Sequence, residues 1–193
     1  MVALHDATLD RTTDCTGSVQ AKTLAQVRLC DAGSWRGGAW AGTRVPTMQE
    51  VVALAAEHDV RIAPEIKQGS VTSTQVAAFA QVISDAGMES DTVVQSFSRA
   101  SLALYRSVGT QVGLGYITLR STQTVATVKA TGATVYVVDT PSITAVQVRA
   151  FQSAGIRVWL YTVTDAGSNR AALSRYPDGV ITNDVGLTRS AVS

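Results

Sequence analysis

Histidine is scarce in this sequence: two residues, His5 and His58, in a chain of 193, and neither stands before an Arg-Gly pair. Cysteine is equally scarce. Cys15 and Cys30 are the only two, and their spacing is not Cys-x-x-Cys, which argues against a zinc site or redox catalysis. No apolar run approaches the roughly 18–20 residues that cross a bilayer, so no transmembrane segment is expected. The formal charge is +1 and no Lys/Arg cluster occurs, which leaves no electrostatic reason to expect nucleic acid or an anionic membrane surface. A charged-then-apolar leader is also missing at Met1, so any signal peptide would have to lie in preceding sequence.

What the sequence does have is an interior. Hydrophobic residues make up 46% and charged residues 16%, a balance that suits a folded core and argues against disorder. The length suits one well-buried domain rather than two.

From Pro46 onward, helical stretches rich in Ala, Leu and Gln end at a glycine, and apolar strands follow. The hand-offs are Ala86-Gly87, Val108-Gly109, Thr131-Gly132 and Ala154-Gly155, where glycine most cheaply adopts the left-handed conformation that ends a helix. Strands are expected at Val60 to Ile66, Thr92 to Ser96, Gln111 to Tyr116, Thr134 to Val138, Arg157 to Val163 and Gly179 to Thr182. Most are continuous apolar runs, as in parallel strands covered on both faces. Thr47 with Glu50 fits a capping box, and Ser98 and Thr144 stand at N-cap positions. Right-handed crossovers add such strands in one direction, so the units fan out or close into a barrel. A closed (β/α) barrel needs eight strands, typically in about 250 residues, so six strands leave a deficit of two.

Three residues at two places in the chain carry candidate chemistry. Glu65 and Lys67 are one residue apart at a strand end, so alternation places both side chains on one face. Opposite charges there are costly to bury unless they pair or bind something, and for an arbitrary Glu-x-Lys a structural salt bridge is the more ordinary explanation. His5 can move protons near neutral pH, although a lone histidine in a loop is ordinarily a solvent-facing residue. His58 lies at a helix-to-strand turn and is expected on the surface. Cys15 and Cys30 are compatible with a disulfide closing a loop of about 16 residues, worth roughly 3 kcal/mol, and equally with two separate buried thiols.

The run His5-Asp6-Ala7-Thr8-Leu9-Asp10-Arg11-Thr12-Thr13, followed by Gly17, resembles a hallmark of the glycerophosphodiester phosphodiesterase family. It follows the short apolar segment Val2-Ala3-Leu4, expected as a strand. Val45-Pro46-Thr47, Glu65-Ile66-Lys67, Gln95-Ser96-Phe97, the strand Val158-Trp159-Leu160-Tyr161-Thr162-Val163 and the segment Gly179 to Asp184 match later parts of the family pattern in order. The resemblance implies an α/β fold of the (β/α)8 TIM-barrel type, a single partial barrel over residues 1–193 whose first two strands are missing. Those strands would carry the family's His-Arg-Gly and Glu-x-Asp motifs. Residues 6–45 resemble the family's insertion subdomain, and 46–193 carry the remaining βα units.

The implied activity is metal-dependent hydrolysis of glycerophosphodiesters, as small-molecule partners, to glycerol phosphate and an alcohol. In the family pattern His5 is a catalytic proton-transfer group, Glu65 a ligand to Ca²⁺ or Mg²⁺, Lys67 the phosphate contact and Trp159 part of the substrate cleft. The resemblance also tips the cysteines toward a Cys15–Cys30 disulfide and the protein toward a secreted or extracellular location. An incomplete barrel exposes sheet edges, so self-association is expected. With one histidine and one carboxylate, turnover by this chain alone is expected barely above background. The alternatives are a non-catalytic protein that binds phosphorylated ligands and a related phospholipase D-type barrel.

Overall fold

The computed structural model describes residues 1–67, 71–108 and 111–190. They fall into two compact units, Met1–Arg61 with Ala78–Met88 and Ile62–Ala77 with Glu89–Ser193.

The first unit is built around a small apolar cluster in which Leu9, Val27, Cys30 and Val45 are buried, flanked by Val2, Leu4, Cys15, Val19 and Ala32. A Cys15–Cys30 disulfide runs through it, with the Cα atoms 5.6 Å apart. Two helices are started by side chains. Thr23 and Gln26 form a capping box on α1 (Leu24–Val27), and Thr47 and Glu50 form one on α2 (Met48–Glu57), the second as the sequence leads one to expect. The Glu50 carboxylate also takes a bond from Arg28 Nη2 at 2.7 Å. The Thr47 amide first, and Arg28 second, pull its pKa down to about 2.

Val2-Ala3-Leu4, expected as a strand, makes only an isolated antiparallel bridge between Val2 and Thr47. The Ala3 amide donates to the Pro46 carbonyl at 2.9 Å, but Pro46 has no amide to return the bond, so the ladder stops.

The second unit holds a five-stranded sheet in the order β1 (Val93–Ser96), β2 (Gly113–Thr118), β3 (Val135–Asp139), β4 (Arg157–Val163), β5 (Gly179–Thr182), with every pairing parallel. Helices α4 (Arg99–Ser107), α5 (Val125–Thr131), α6 (Ala145–Ser153) and α7 (Ala166–Leu173) alternate with the strands, and α8 (Val185–Arg189) follows β5. α3 (Ser73–Asp85) is divided between the two units at Ala78. Ser98 and Thr144 cap α4 and α6 as expected. The hand-offs at Gly87, Gly132 and Gly155 turn through φ of +64°, +74° and +80°, while Gly109 lies outside the described residues. Gly132 is doubly constrained, because the Arg106 guanidinium occupies the space a Cβ would need.

Of the six expected strands, that at Val60 to Ile66 is a correction. The chain runs parallel beside β1 through two isolated bridges, Ile62 with Thr92 and Glu65 with Gln95. The Ile62 amide donates to Asp91 at 2.9 Å and the Ile66 amide to Gln95 at 2.8 Å. Alternation assigns the rung between them to an amide at position 64 reaching the Val93 carbonyl. Proline there has none, so the ladder breaks in the middle.

Strand alternation gives the sheet two faces. Ile117, Val135 and Val137 form a buried cluster on one, joined by Val93, Phe97, Trp159, Tyr161 and Ile181. Side chains of the opposite parity, among them Val94, Leu114, Tyr136, Val138, Val158 and Leu160, are buried as well. Cover on both faces is what makes these strands continuous apolar runs.

Candidate active site

In the first unit, the His5-to-Gly17 run folds into a tight loop whose residues divide into two groups. Leu9, Thr13, Asp10 and Gly17 build the loop. The Leu9 side chain is fully buried, and its carbonyl accepts the Thr13 hydroxyl at 2.8 Å. Asp10 Oδ2 accepts the Gly17 amide at 3.0 Å, and the Leu9 amide donates to the Gly17 carbonyl at 3.0 Å. Gly17 sits at φ +88°, a conformation that favours glycine.

The second group is His5, Asp6 and Arg11. His5 Nδ1 lies 2.7 Å from Asp6 Oδ1, and Arg11 donates to the same carboxylate, from Nε to Oδ2 at 2.6 Å and from Nη2 to Oδ1 at 3.0 Å. Arg11 first, and His5 second, hold the Asp6 carboxyl well below the usual carboxylate range. The imidazole itself is largely exposed, with 74% of its side-chain surface open to solvent.

In the second unit, Glu65 pairs in register with Gln95, and Gln95 with Gly115. This register puts Glu65 on the face that carries Ile117, Val137, Trp159 and Tyr161. Lys67 Nζ donates to Glu65 Oε2 at 2.8 Å, so the two residues that alternation places together do meet, as an ion pair. The ammonium is the more exposed partner, at 43% against 20%.

Trp159 is half-buried in the apolar cluster. The Arg157 guanidinium lies 6.0 Å from its ring, and a Cβ on Gly179 would come within 2.8 Å of its Cδ1, so the indole fills room that glycine leaves. Next on the same face, Tyr161 donates its hydroxyl to the Thr118 carbonyl at 2.7 Å. Its pKa is pushed up to about 12, by burial first and then by the negative charge of Asp139, the neighbouring Tyr136 and Glu65. Tyr161 and Asp139 also line an open depression of about 480 Å³ with Leu119, Arg120, Pro141 and Ser142. His58 follows α2 and is exposed.

The donors do not by themselves make a site for a hard divalent cation. Glu65 is one carboxylate and is already bonded to an ammonium. Among the described residues, the one group of three His, Cys, Asp or Glu ligand atoms within reach of each other is Asp14, Cys15 and Cys30, and its sulfurs are joined as a disulfide. Calcium sites normally gather about 6–8 oxygens.

Asp6, Arg11 and Tyr161 stand inside the motifs read from the sequence, but sequence reasoning gave them no role of their own. Tyr161 was within reach of it, because strand alternation from Trp159 assigns it to the same face. The Asp6–Arg11 contact was not, since it forms in irregular backbone where no period applies.

A model of the glycerophosphoryl diester phosphodiesterase family matches residues 1–187. The chain is 31% identical, over 118 residues, to a glycerophosphodiester phosphodiesterase of Caldanaerobacter subterraneus subsp. tengcongensis, a match covering 61% of this chain and 49% of that protein. It is 27% identical to a glycerophosphodiester phosphodiesterase of Bacillus subtilis strain 168, covering 95% of this chain and 69% of that protein. Its match therefore spans about half the length of the first of these relatives. Among solved structures, a putative glycerophosphoryl diester phosphodiesterase of Silicibacter pomeroyi DSS-3 superposes with a TM-score of 0.87 at 21% identity, over 98% of this chain and 77% of that one. An Oleispira antarctica phosphodiesterase, solved in complex with the product sn-glycerol-3-phosphate, gives 0.83 at 20% identity, over 99% and 78%. At these identities the likeness establishes the fold, which is α/β of the TIM-barrel type.

Proposed function

Because the chain belongs to the glycerophosphoryl diester phosphodiesterase family, we propose that it serves the hydrolysis of glycerophosphodiesters to glycerol phosphate and an alcohol. The observation that carries the proposal is the exposed His5 imidazole, held on one side by Asp6 inside a loop that the rest of the motif builds. Phosphodiester hydrolysis needs a proton taken from the attacking water and a proton given to the departing alkoxide, and an imidazole can do either near neutral pH. Lys67 supplies a partly exposed ammonium for the phosphate. Trp159 offers an apolar wall on the same sheet face as Glu65. The product named for the Oleispira antarctica relative, sn-glycerol-3-phosphate, supports the same substrate class.

Hydrolysis in the family depends on a divalent cation, and we assign Ca²⁺ or Mg²⁺, with Glu65 as one ligand. A single carboxylate competes poorly with water for either ion, so the residues present here are expected to bind the cation weakly and to turn over slowly. The Cys15–Cys30 disulfide supports an oxidising, secreted or extracellular setting. The mutual pairing of Glu65 and Lys67 favours a second reading, a protein that binds glycerol phosphates without cleaving them.

The test is release of sn-glycerol 3-phosphate from sn-glycero-3-phosphocholine, with and without EDTA, alongside direct binding of sn-glycerol 3-phosphate. We expect slow, EDTA-sensitive release that His5→Ala lowers to background, since a positioned acid or base contributes about 10²–10⁴-fold. Binding without release supports the second reading. A protein that neither binds nor cleaves overturns both.

A further inference from the structure

The Asp6 carboxylate is shared between two donors, Arg11 and His5, and the chemistry of the three groups fixes where the protons are. Arg11 cannot lose its proton, and its two bonds to Asp6, at 2.6 and 3.0 Å, keep the carboxylate ionised and in one orientation. An ionised carboxylate only accepts, so the hydrogen in the 2.7 Å contact between Asp6 Oδ1 and His5 Nδ1 belongs to the ring nitrogen. A neutral imidazole carries one N–H. With that hydrogen on Nδ1, the lone pair is on Nε2, on the far side of a ring that is 74% exposed. The spacing of the motif has a physical meaning in these terms. Leu9, buried between Asp6 and Arg11 in sequence, anchors the loop that brings the guanidinium back onto the carboxylate.

We propose that Asp6 is a positioning residue that, braced by Arg11, fixes His5 as the Nδ1–H tautomer and makes Nε2 the atom that accepts the proton in phosphodiester hydrolysis. The proposal rests on the proton-transfer role given to His5 above. In the step it describes, the water oxygen bonds to phosphorus and its proton passes to Nε2. The ester P–O bond then breaks, and the imidazolium gives its proton from Nε2 to the departing alkoxide, directly or through solvent, so that the net change is addition of one water. Throughout, the Nδ1 hydrogen stays against Asp6, whose negative charge offsets the positive charge that the ring acquires.

The rival is that Asp6 and Arg11 merely close the loop, and the tautomer separates the two. The chain has two imidazoles, so ¹⁵N-resolved NMR of labelled protein assigns both at once, with His58 as the internal control. Spectra are taken along a rising pH series and read on the plateau where the ¹⁵N shifts of neither ring change further, so that both rings are neutral. We expect His5 to carry its hydrogen on Nδ1 and His58 to show the Nε2–H form that a free imidazole prefers in water. In Asp6→Ala, His5 should revert to the His58 pattern. Asp6→Asn, which keeps an acceptor oxygen, should retain more of the Nδ1–H form than Asp6→Ala.

A His5 ring with its hydrogen mainly on Nε2 in the unaltered protein overturns the proposal without recourse to any variant. An unchanged tautomer in folded Asp6→Ala overturns it too. Loss of hydrolysis is a separate result. Absent turnover with the expected tautomer counts against the functional assignment of His5, whereas turnover with the wrong tautomer counts against the role of Asp6 alone.

Discussion

At Glu50 one carboxylate caps α2 through Thr47 and pairs with Arg28, and both contacts favour its ionised form. Its folded pKa of about 2 stands below the ordinary 4.5. A depressed carboxyl contributes stability that is fully present above the ordinary value and is lost as pH falls through the folded one. Acid unfolding of the first unit should therefore steepen between about pH 4.5 and 2. In Glu50→Gln that slope should shrink and neutral-pH stability should fall, as read by circular dichroism along a pH series. An unchanged acid profile would mean that the cap and the pair contribute nothing.

Lys67 and Glu65 permit a second test at this scale, one with an unusual sign. The Lys67 ammonium is tied to Glu65 at 2.8 Å, so without added metal Glu65→Gln should tighten binding of inorganic phosphate. Lys67→Met should weaken it by about 10–100-fold, the range expected for a hydrogen bond to a charged group. Titration followed by ³¹P NMR reads both, and weaker binding in Glu65→Gln would show that the pair acts as a unit.

Among the elements, the segment 62–66 shows where sequence and structure part. Continuous apolar runs revealed β1 to β5, because burial on both faces leaves that mark on composition. The same texture at Val60 to Ile66 is real, and Ile66 is buried, but hydrophobic pattern reports side chains and not amides. Pro64 was visible in the sequence, and its missing donor decides the outcome. Pro64→Ala should supply an amide that donates to the Val93 carbonyl, seen as slow hydrogen exchange at residue 64. The added bond, worth about 0.5–1.5 kcal/mol, is opposed by about 0.4–1 kcal/mol of lost chain restriction, so stability should hardly change. Fast exchange at residue 64 would mean that something other than the proline interrupts the ladder. Pro46 limits Val2-Ala3-Leu4 in the same way. His5 and Lys67 were legible because motifs name residue types, whereas the Arg11–Asp6 contact depends on a loop whose shape is fixed by Leu9, Thr13 and Gly17 together.

For the molecule as a whole, two terms that oppose association are weak. The formal charge is +1, so copies repel each other little near neutral pH. β5 stands at one margin of the sheet order, and an edge strand presents amides and carbonyls that a second chain can take up. The described surface also carries large apolar side chains, Leu29, Val146 and Leu119 the most open among them. No helix of the described residues is long and apolar enough to cross a membrane. We therefore expect concentration-dependent self-association. Sedimentation velocity over a hundredfold range of concentration should show a rising average mass, accompanied by slowed amide exchange along Gly179–Thr182 if the β5 edge is the contact. Association that leaves those amides unprotected would place the contact on the apolar surface instead. A strict monomer at every concentration would show that the edge is too short, at four residues, to recruit a partner.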